Sequence, residues 1–69
     1  MSLRKGQKVT VKGGRKSITC ELTDIDHRTN KIWIRLPTNQ VLLMGWDAKQ
    51  EAYTASLAGL DFSVDPKDN

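Results

Sequence analysis

The chain has 69 residues, of which 11 are Lys or Arg and 8 are Asp or Glu, so its formal net charge is +3. A chain of this length supports one hydrophobic core and leaves no room for a second domain. Its one cysteine, Cys20, cannot form an intrachain disulfide, and a free thiol is typical of a reducing compartment, so we expect a cytoplasmic protein.

No segment resembles a membrane anchor or a secretion signal. The longest apolar run, residues 41–46, is much shorter than the ~20 residues of a membrane-spanning helix, and the N-terminus has no apolar stretch. We therefore expect no contact with a membrane. Met1, Ser2 and Leu3 support no inference of their own.

The charge is divided unevenly along the chain. Residues 1–35 carry nine Lys and Arg against three acidic residues, whereas residues 36–69 carry two against five. Such an asymmetry is compatible with a basic face that contacts phosphates. It is equally compatible with a solvated surface on which opposite charges interleave after folding, and the sequence leaves both interpretations open.

A first strand is expected over residues 7–12. Val9 and Val11 alternate there with polar residues, and this period of two predicts a strand with one buried face. The glycine pair that follows permits the positive φ angles of a tight reversal, so residues 13–16 are predicted to form a turn.

The second strand carries Ile18, Cys20 and Leu22 on its inward face. Ile25 follows Leu22 by three residues instead of two. We therefore predict a β-bulge near Asp24, because one extra residue returns Ile25 to the core side of the sheet.

The third strand follows a turn over residues 26–30, in which Asn30 is expected to be left-handed. Its inward positions are Ile32, Ile34 and Leu36. The same alternation places Trp33 on the outer face, between Lys31 and Arg35.

The fourth strand, residues 41–46, follows a turn at 37–40 and is apolar on both faces, which is typical of a covered strand. We assign Val41 and Leu43 to its inward face. Trp46 is expected to pack against the core or a helix.

The next segment has two interpretations. Asp47 followed by Gln50 three residues later is a capping pattern, and the alanines up to Gly59 favour a helix or helical turn over residues 48–58. The same segment alternates like a strand at Tyr53, Ala55 and Leu57. A final strand is predicted at Leu60, Phe62 and Val64, and a disordered polar tail at residues 65–69.

The predicted fold is mainly β, a single SH3-like five-stranded antiparallel barrel over residues 1–64 with a helix or helical turn before the last strand. If the ambiguous segment is a strand, a six-stranded meander barrel replaces it. We expect ten residues to be mainly buried: Val9, Val11, Ile18, Cys20, Leu22, Ile32, Ile34, Val41, Leu43 and Phe62.

About half of the chain resembles the KOW motif of ribosomal proteins and transcription elongation factors. The motif's opening glycine, valines and closing glycine correspond to Gly6, Val9, Val11 and Gly13, and residues 22–26 and 31–34 resemble its later hairpin and strand. The resemblance implies an SH3-like barrel that binds RNA or proteins of the transcription and translation machinery.

Signals of catalysis and metal binding are nearly absent from the sequence. His27 is the only histidine, and it lies in a predicted turn beside Asp26, far from the setting of a catalytic triad. One histidine and one cysteine do not make a metal site of ordinary spacing. We expect no enzymatic activity, no cofactor and no metal, although an active site shared between copies in an oligomer stays open.

Trp33 between two cations has the composition of a base-stacking platform. The leading hypothesis is a small non-enzymatic module that binds RNA or single-stranded DNA. Its predicted contacts are Lys8, Lys12, Arg15, Lys16, Lys31, Trp33 and Arg35. The alternative is a protein-interaction or self-assembly module that uses apolar surface around Trp33, Met44 and Trp46. In that case the partner is another protein or a second copy of the chain.

Overall fold

The structure, a computed structural model, describes residues 3–69. These residues form six strands: β1 (Lys8–Gly13), β2 (Lys16–Asp26), β3 (Lys31–Arg35), β4 (Val41–Asp47), β5 (Ala52–Leu57) and β6 (Leu60–Val64). Consecutive strands pair antiparallel and β6 returns to β1, so the sheet closes into a small barrel. The mainly-β prediction is confirmed, and the architecture is compatible with an SH3-like barrel.

The predicted helix before the last strand is wrong, because that segment forms β5, and the six-stranded alternative is confirmed. The capping signal of Asp47 is real but serves a single turn, since its carboxylate accepts the backbone N–H groups of Lys49 and Gln50. Glu51 then adopts a φ of 53° and reverses the chain. The strand follows because Tyr53, Ala55 and Leu57 pack against the core.

The β-bulge in β2 is confirmed. The register with β3 shifts between Leu22 and Asp24, which leaves Thr23 as the extra residue. The Thr23 hydroxyl donates to the carbonyl oxygen of Trp33 at 3.1 Å, so the bulge is bonded to the neighbouring strand. Asn30, with a φ of 54°, is left-handed as predicted.

The inward face of β4 is the opposite of the one predicted. Val41 and Leu43 are 51% and 46% exposed, whereas Leu42 and Met44 are buried. Directly opposite residues of an antiparallel pair share a face. Leu42 pairs with Ile34 and Met44 with Ile32, so these two β4 residues face the core.

The core contains most of the residues predicted for it. Val9, Val11, Cys20, Leu22, Ile32 and Ile34 are buried together with Leu36, Leu42, Met44 and Val64. Ile18 and Phe62 are half-buried and pack against this cluster. Leu3, from which the sequence supported no inference, is also part of the core, whereas Met1 and Ser2 lie outside the described residues.

The closure between β1 and β6 is short and is completed by the C-terminal segment. The two strands pair only at Lys12 with Ser63 and at Gly13 with Phe62. Residues 65–69, expected to be disordered, contain a 3-10 helix at Pro66–Asp68. The side chain of Asn69 then accepts a hydrogen bond from the backbone N–H of Thr10 at 2.8 Å. This residue therefore covers the part of β1 that has a strand partner on one side only.

Gly13 permits close contact across this closure. A Cβ atom at Gly13 would lie 2.7 Å from the ring of Phe62, so only glycine lets the ring pack on β1. No helix among residues 3–69 has the length and hydropathy to cross a membrane.

Candidate interaction surfaces

Trp33 lies on the outer face of β3, as the alternation predicts, but it is half-buried. Its cross-strand neighbours are Asp24 on β2 and Leu43 on β4. Lys31 and Arg35 are exposed on either side of it along the strand. One face of β3 therefore presents an aromatic ring and two cations, as expected, with a carboxylate on one side and a leucine on the other.

Each of these two cations has a carboxylate directly across from it on β2. Lys31 pairs with Asp26 in the register, and the Arg35 guanidinium donates to the Glu21 carboxylate in a salt bridge. The pKa of Asp26 lies below its usual value because the side chain of Thr29 and the backbone N–H of Arg28 hydrogen-bond to it, with a smaller contribution from Lys31. The charge around Trp33 is therefore locally balanced.

Lys8 belongs to the same mixed region. It lies opposite Glu21 in the pairing of β1 with β2, and Glu21 in turn lies opposite Arg35 in the pairing of β2 with β3. Lys8, Glu21 and Arg35 therefore form one row across three strands, in which a carboxylate lies between two cations. The interpretation in which opposite charges interleave describes this part of the surface.

A more strongly basic region lies at the end of the β1–β2 hairpin. Arg15 and Lys16 are exposed in and beside its turn, and they form no salt bridge within residues 3–69. Lys12, one row away, contacts the Asp68 carboxylate at 3.4 Å in an exposed pair. In the row next to Lys16, Lys12 lies opposite Ser17, which contributes a hydroxyl group. The seven predicted contact residues therefore divide between this basic hairpin end and the balanced face around Trp33.

The outer face also carries an exposed apolar patch that shares only Trp33 with the apolar surface predicted around Trp33, Met44 and Trp46. We define the patch as Trp33, Val41 and Leu43, which occupy the outer face of β3 and β4. Leu43 lies directly opposite Trp33, and Val41 lies opposite Arg35. The alternation of β3 predicted the outward position of Trp33, but β4 is apolar on both faces, so its pattern could not show which leucine is exposed.

Trp46 marks a second apolar feature, at one open end of the barrel. It is 41% exposed and packs edge-on against Tyr53, with ring centroids 5.1 Å apart. The two rings line a cleft of about 290 Å³ together with Leu3 and Pro66. Trp46, expected to pack against the core or a helix, is instead exposed and packs on Tyr53, which itself packs against the core. Met44, expected at an exposed surface, is fully buried.

Groups with chemical reactivity are isolated from one another. Cys20 is buried, and burial raises the pKa of its thiol, so the neutral form is favoured. His27 is exposed in the β2–β3 turn. Residues 3–69 contain no cluster of three or more His, Cys, Asp or Glu side chains arranged to hold a metal ion.

Comparisons with protein-family models, with characterised proteins and with solved structures found no match to this chain.

Proposed function

We propose that this protein is a small non-enzymatic interaction module that binds another protein through the outer face of β3 and β4. The observation that carries this proposal is the apolar patch, in which two exposed aliphatic residues adjoin a half-buried tryptophan. Contiguous exposed apolar surface is typical of interaction sites, and protein interfaces commonly combine an aromatic anchor with a polar rim. Charges of both signs, on Lys31, Arg35, Glu21 and Asp24, supply such a rim.

The balanced charge favours a protein over a nucleic acid at this face. A phosphate backbone laid across Trp33 would approach the carboxylates of Asp24, Asp26 and Glu21 on the adjacent strand. The negative charges of the phosphates and of these carboxylates would repel each other, and this repulsion would weaken binding. A protein partner with charges of both signs meets no such cost.

The test places a photoreactive amino acid at position 43 and, as a matched control, at position 60. Leu60 is 55% exposed but lies on β6, away from the patch. We expect a discrete protein adduct from position 43 in native cell extract and none from position 60. The purified partner should then bind Leu43→Lys at least tenfold more weakly than Leu60→Lys. Equal adducts from both positions, or none from position 43, would contradict the proposal.

A second candidate function, binding of RNA or single-stranded DNA, is favoured by the basic hairpin end. Lys12, Arg15 and Lys16 lie within the last rows of this hairpin, where the pairing places Lys12 with Ser17 on one face and Lys16 with Gly13 on the other, and only Asp68 opposes them among the salt bridges of residues 3–69. The resemblance of this half of the chain to the KOW motif points to the same class of partner. Phosphate contacts would come from this hairpin end, whereas Lys8, opposite Glu21 at the other end of β1, lies in the charge-balanced region.

Titration with mixed-sequence single strands at several salt concentrations tests this second function. If about three to five cations meet phosphates, log K should fall with log[salt] at a slope of roughly −2 to −4. Replacing Lys12, Arg15 and Lys16 together by Gln should reduce that slope, whereas Lys49→Gln, in the β4–β5 turn, should not. An affinity that does not change with salt concentration would exclude binding through phosphate contacts.

In the same titration, Trp33→Ala distinguishes nucleic-acid binding at the face around Trp33 from binding at the basic hairpin end. Loss of a stacking surface typically weakens single-strand binding by ~1–3 kcal/mol. If Trp33 stacks on bases, this variant loses affinity while Lys31→Gln and Arg35→Gln also weaken binding. If nucleic acid contacts only the hairpin end, all three variants retain their affinity.

A further inference from the structure

The strand β4 has an incompletely paired edge beside the apolar patch. All five positions from Val41 to Gly45 pair with β3 on one side. On the other side, pairing with β5 is restricted to Gly45, Trp46 and Asp47. Residues 41–44 therefore have a strand neighbour on one side only.

The hydrogen-bonding phase shows which backbone groups point to that edge. The Leu36 N–H donates to the Gln40 carbonyl at 2.8 Å, and the Trp46 N–H donates to the Asn30 carbonyl at 3.0 Å. Hydrogen-bonded pairs alternate with non-bonded pairs in an antiparallel ladder. Even-numbered residues of β4 thus bond to β3, and the N–H and C=O groups of Val41 and Leu43 are directed away from it.

Within the closed barrel, β1 and β4 each have a stretch of backbone with a strand partner on one side only, and only the stretch of β1 is covered by other residues. The edge of β1 is covered where the Asn69 side chain accepts the Thr10 N–H and where the Asn69 carbonyl accepts the Gln7 side chain. The β4 edge has no such cover among the hydrogen bonds of residues 3–69, and no residue from 37 to 46 is charged. Charged side chains and prolines on the strand are the usual means of blocking association at an edge, and residues 41–44 have neither.

We propose that this edge pairs with the same edge of a second copy of the chain, giving a two-fold symmetric dimer with an antiparallel β4–β4 contact. Val41 of one copy then lies opposite Leu43 of the other, and each pair exchanges both backbone bonds, so about four new hydrogen bonds form. Val41 and Leu43 also become cross-strand neighbours on the outer face, where both are exposed in the single chain. The strand is self-complementary in backbone and side chains.

The absence of charge along this edge permits a second copy to bind, and the small area of the contact implies that it binds weakly. The chain carries a net charge of +3, but residues 37–46 are uncharged, so the copies meet without like charges in contact. Residues 41–44 extend over about 13 Å of strand. The contact is much smaller than the ~800 Å² per partner of a standard stable interface. The dimer should therefore be in rapid equilibrium with the monomer, with a dissociation constant in the micromolar range or weaker.

This inference rests on the proposed protein-binding role of the β3–β4 face, and sedimentation velocity of the purified chain over a range of concentrations tests it. We expect reversible dimer formation, weakened at least tenfold by Leu43→Lys and by Val41→Lys. Leu60→Lys, with the same added charge on an exposed leucine outside the edge, should dimerise like the unmodified chain. Circular dichroism confirms that each variant is folded.

A chain that stays monomeric up to about millimolar concentration would overturn the dimer, and so would a dimer that both edge variants leave unchanged. In either case an adduct between position 43 and a different protein would leave the proposed function standing. If position 43 gives no protein adduct and the chain is monomeric, both proposals are contradicted.

Discussion

Burial alternates from residue to residue along β3, so adjacent side chains have different roles. Ile34 is fully buried, and truncating it to alanine leaves a cavity in the core that residues 3–69 form. Ile34→Ala should lower the free energy of unfolding by ~2–5 kcal/mol. Urea denaturation measures this loss. Leu60→Ala, at a position that is 55% exposed, is the control and should change stability by less than about 0.5 kcal/mol. Equal effects of the two variants would contradict the assigned burial.

Asp26 gives a prediction about pH, because its pKa is lower in the folded protein than in the unfolded chain. The carboxylate stabilises the folded state at pH values above the unfolded pKa of about 3.9. That contribution is lost as the pH falls through the lower, folded pKa. An NMR titration of the side-chain carboxyl should give a midpoint below the ordinary value. Thr29→Val should move the midpoint upwards, since the Thr29 hydrogen bond is the largest cause of the shift. An unchanged midpoint in that variant would exclude this cause.

At the scale of elements, the turn of the β5–β6 hairpin contains an alanine, Ala58, in a backbone conformation that alanine does not favour. Ala58 and Gly59 form the two-residue loop with φ angles of 53° and 79°, and two positive φ angles are typical of a type I′ turn. Asparagine tolerates this conformation better than alanine. Ala58→Asn should therefore stabilise the protein by ~0.5–1 kcal/mol in thermal unfolding. Ala48→Asn, in a turn position without a positive φ, should give no such gain, and a destabilised Ala58→Asn would contradict the assigned turn.

At the scale of the whole molecule, the position of Cys20 in the core implies that its thiol becomes accessible to solvent only when the barrel opens. Its side chain is 4% exposed, and burial raises the pKa of the thiol. Both effects slow alkylation, because the thiolate is the reactive form. The labelling rate should rise with urea in parallel with unfolding and should be higher in Ile34→Ala. Rapid labelling of the native protein, independent of urea, would indicate local opening near β2.

The sequence determined those parts of the fold in which polar and apolar residues alternate cleanly. Val9 and Val11 in β1, and Ile32 and Ile34 in β3, could be placed inward because the period of a strand fixes the face of each residue. The outward position of Trp33 followed from the same rule. The bulge near Asp24 was predictable because one extra residue displaced Ile25 from the pattern.

The phase of β4 and the nature of residues 48–58 were decided only by the tertiary structure. A strand that is apolar on both faces fits either phase, and only pairing of Leu42 with Ile34 selects one. The alanine-rich segment fits a helix and a strand locally, and pairing with β4 and β6 selects the strand. Charge balance around Trp33 and the open edge of β4 likewise depend on contacts between residues distant in sequence. Local pattern determines which face of an element is apolar, whereas register and closure depend on which elements meet, and only the folded chain decides that.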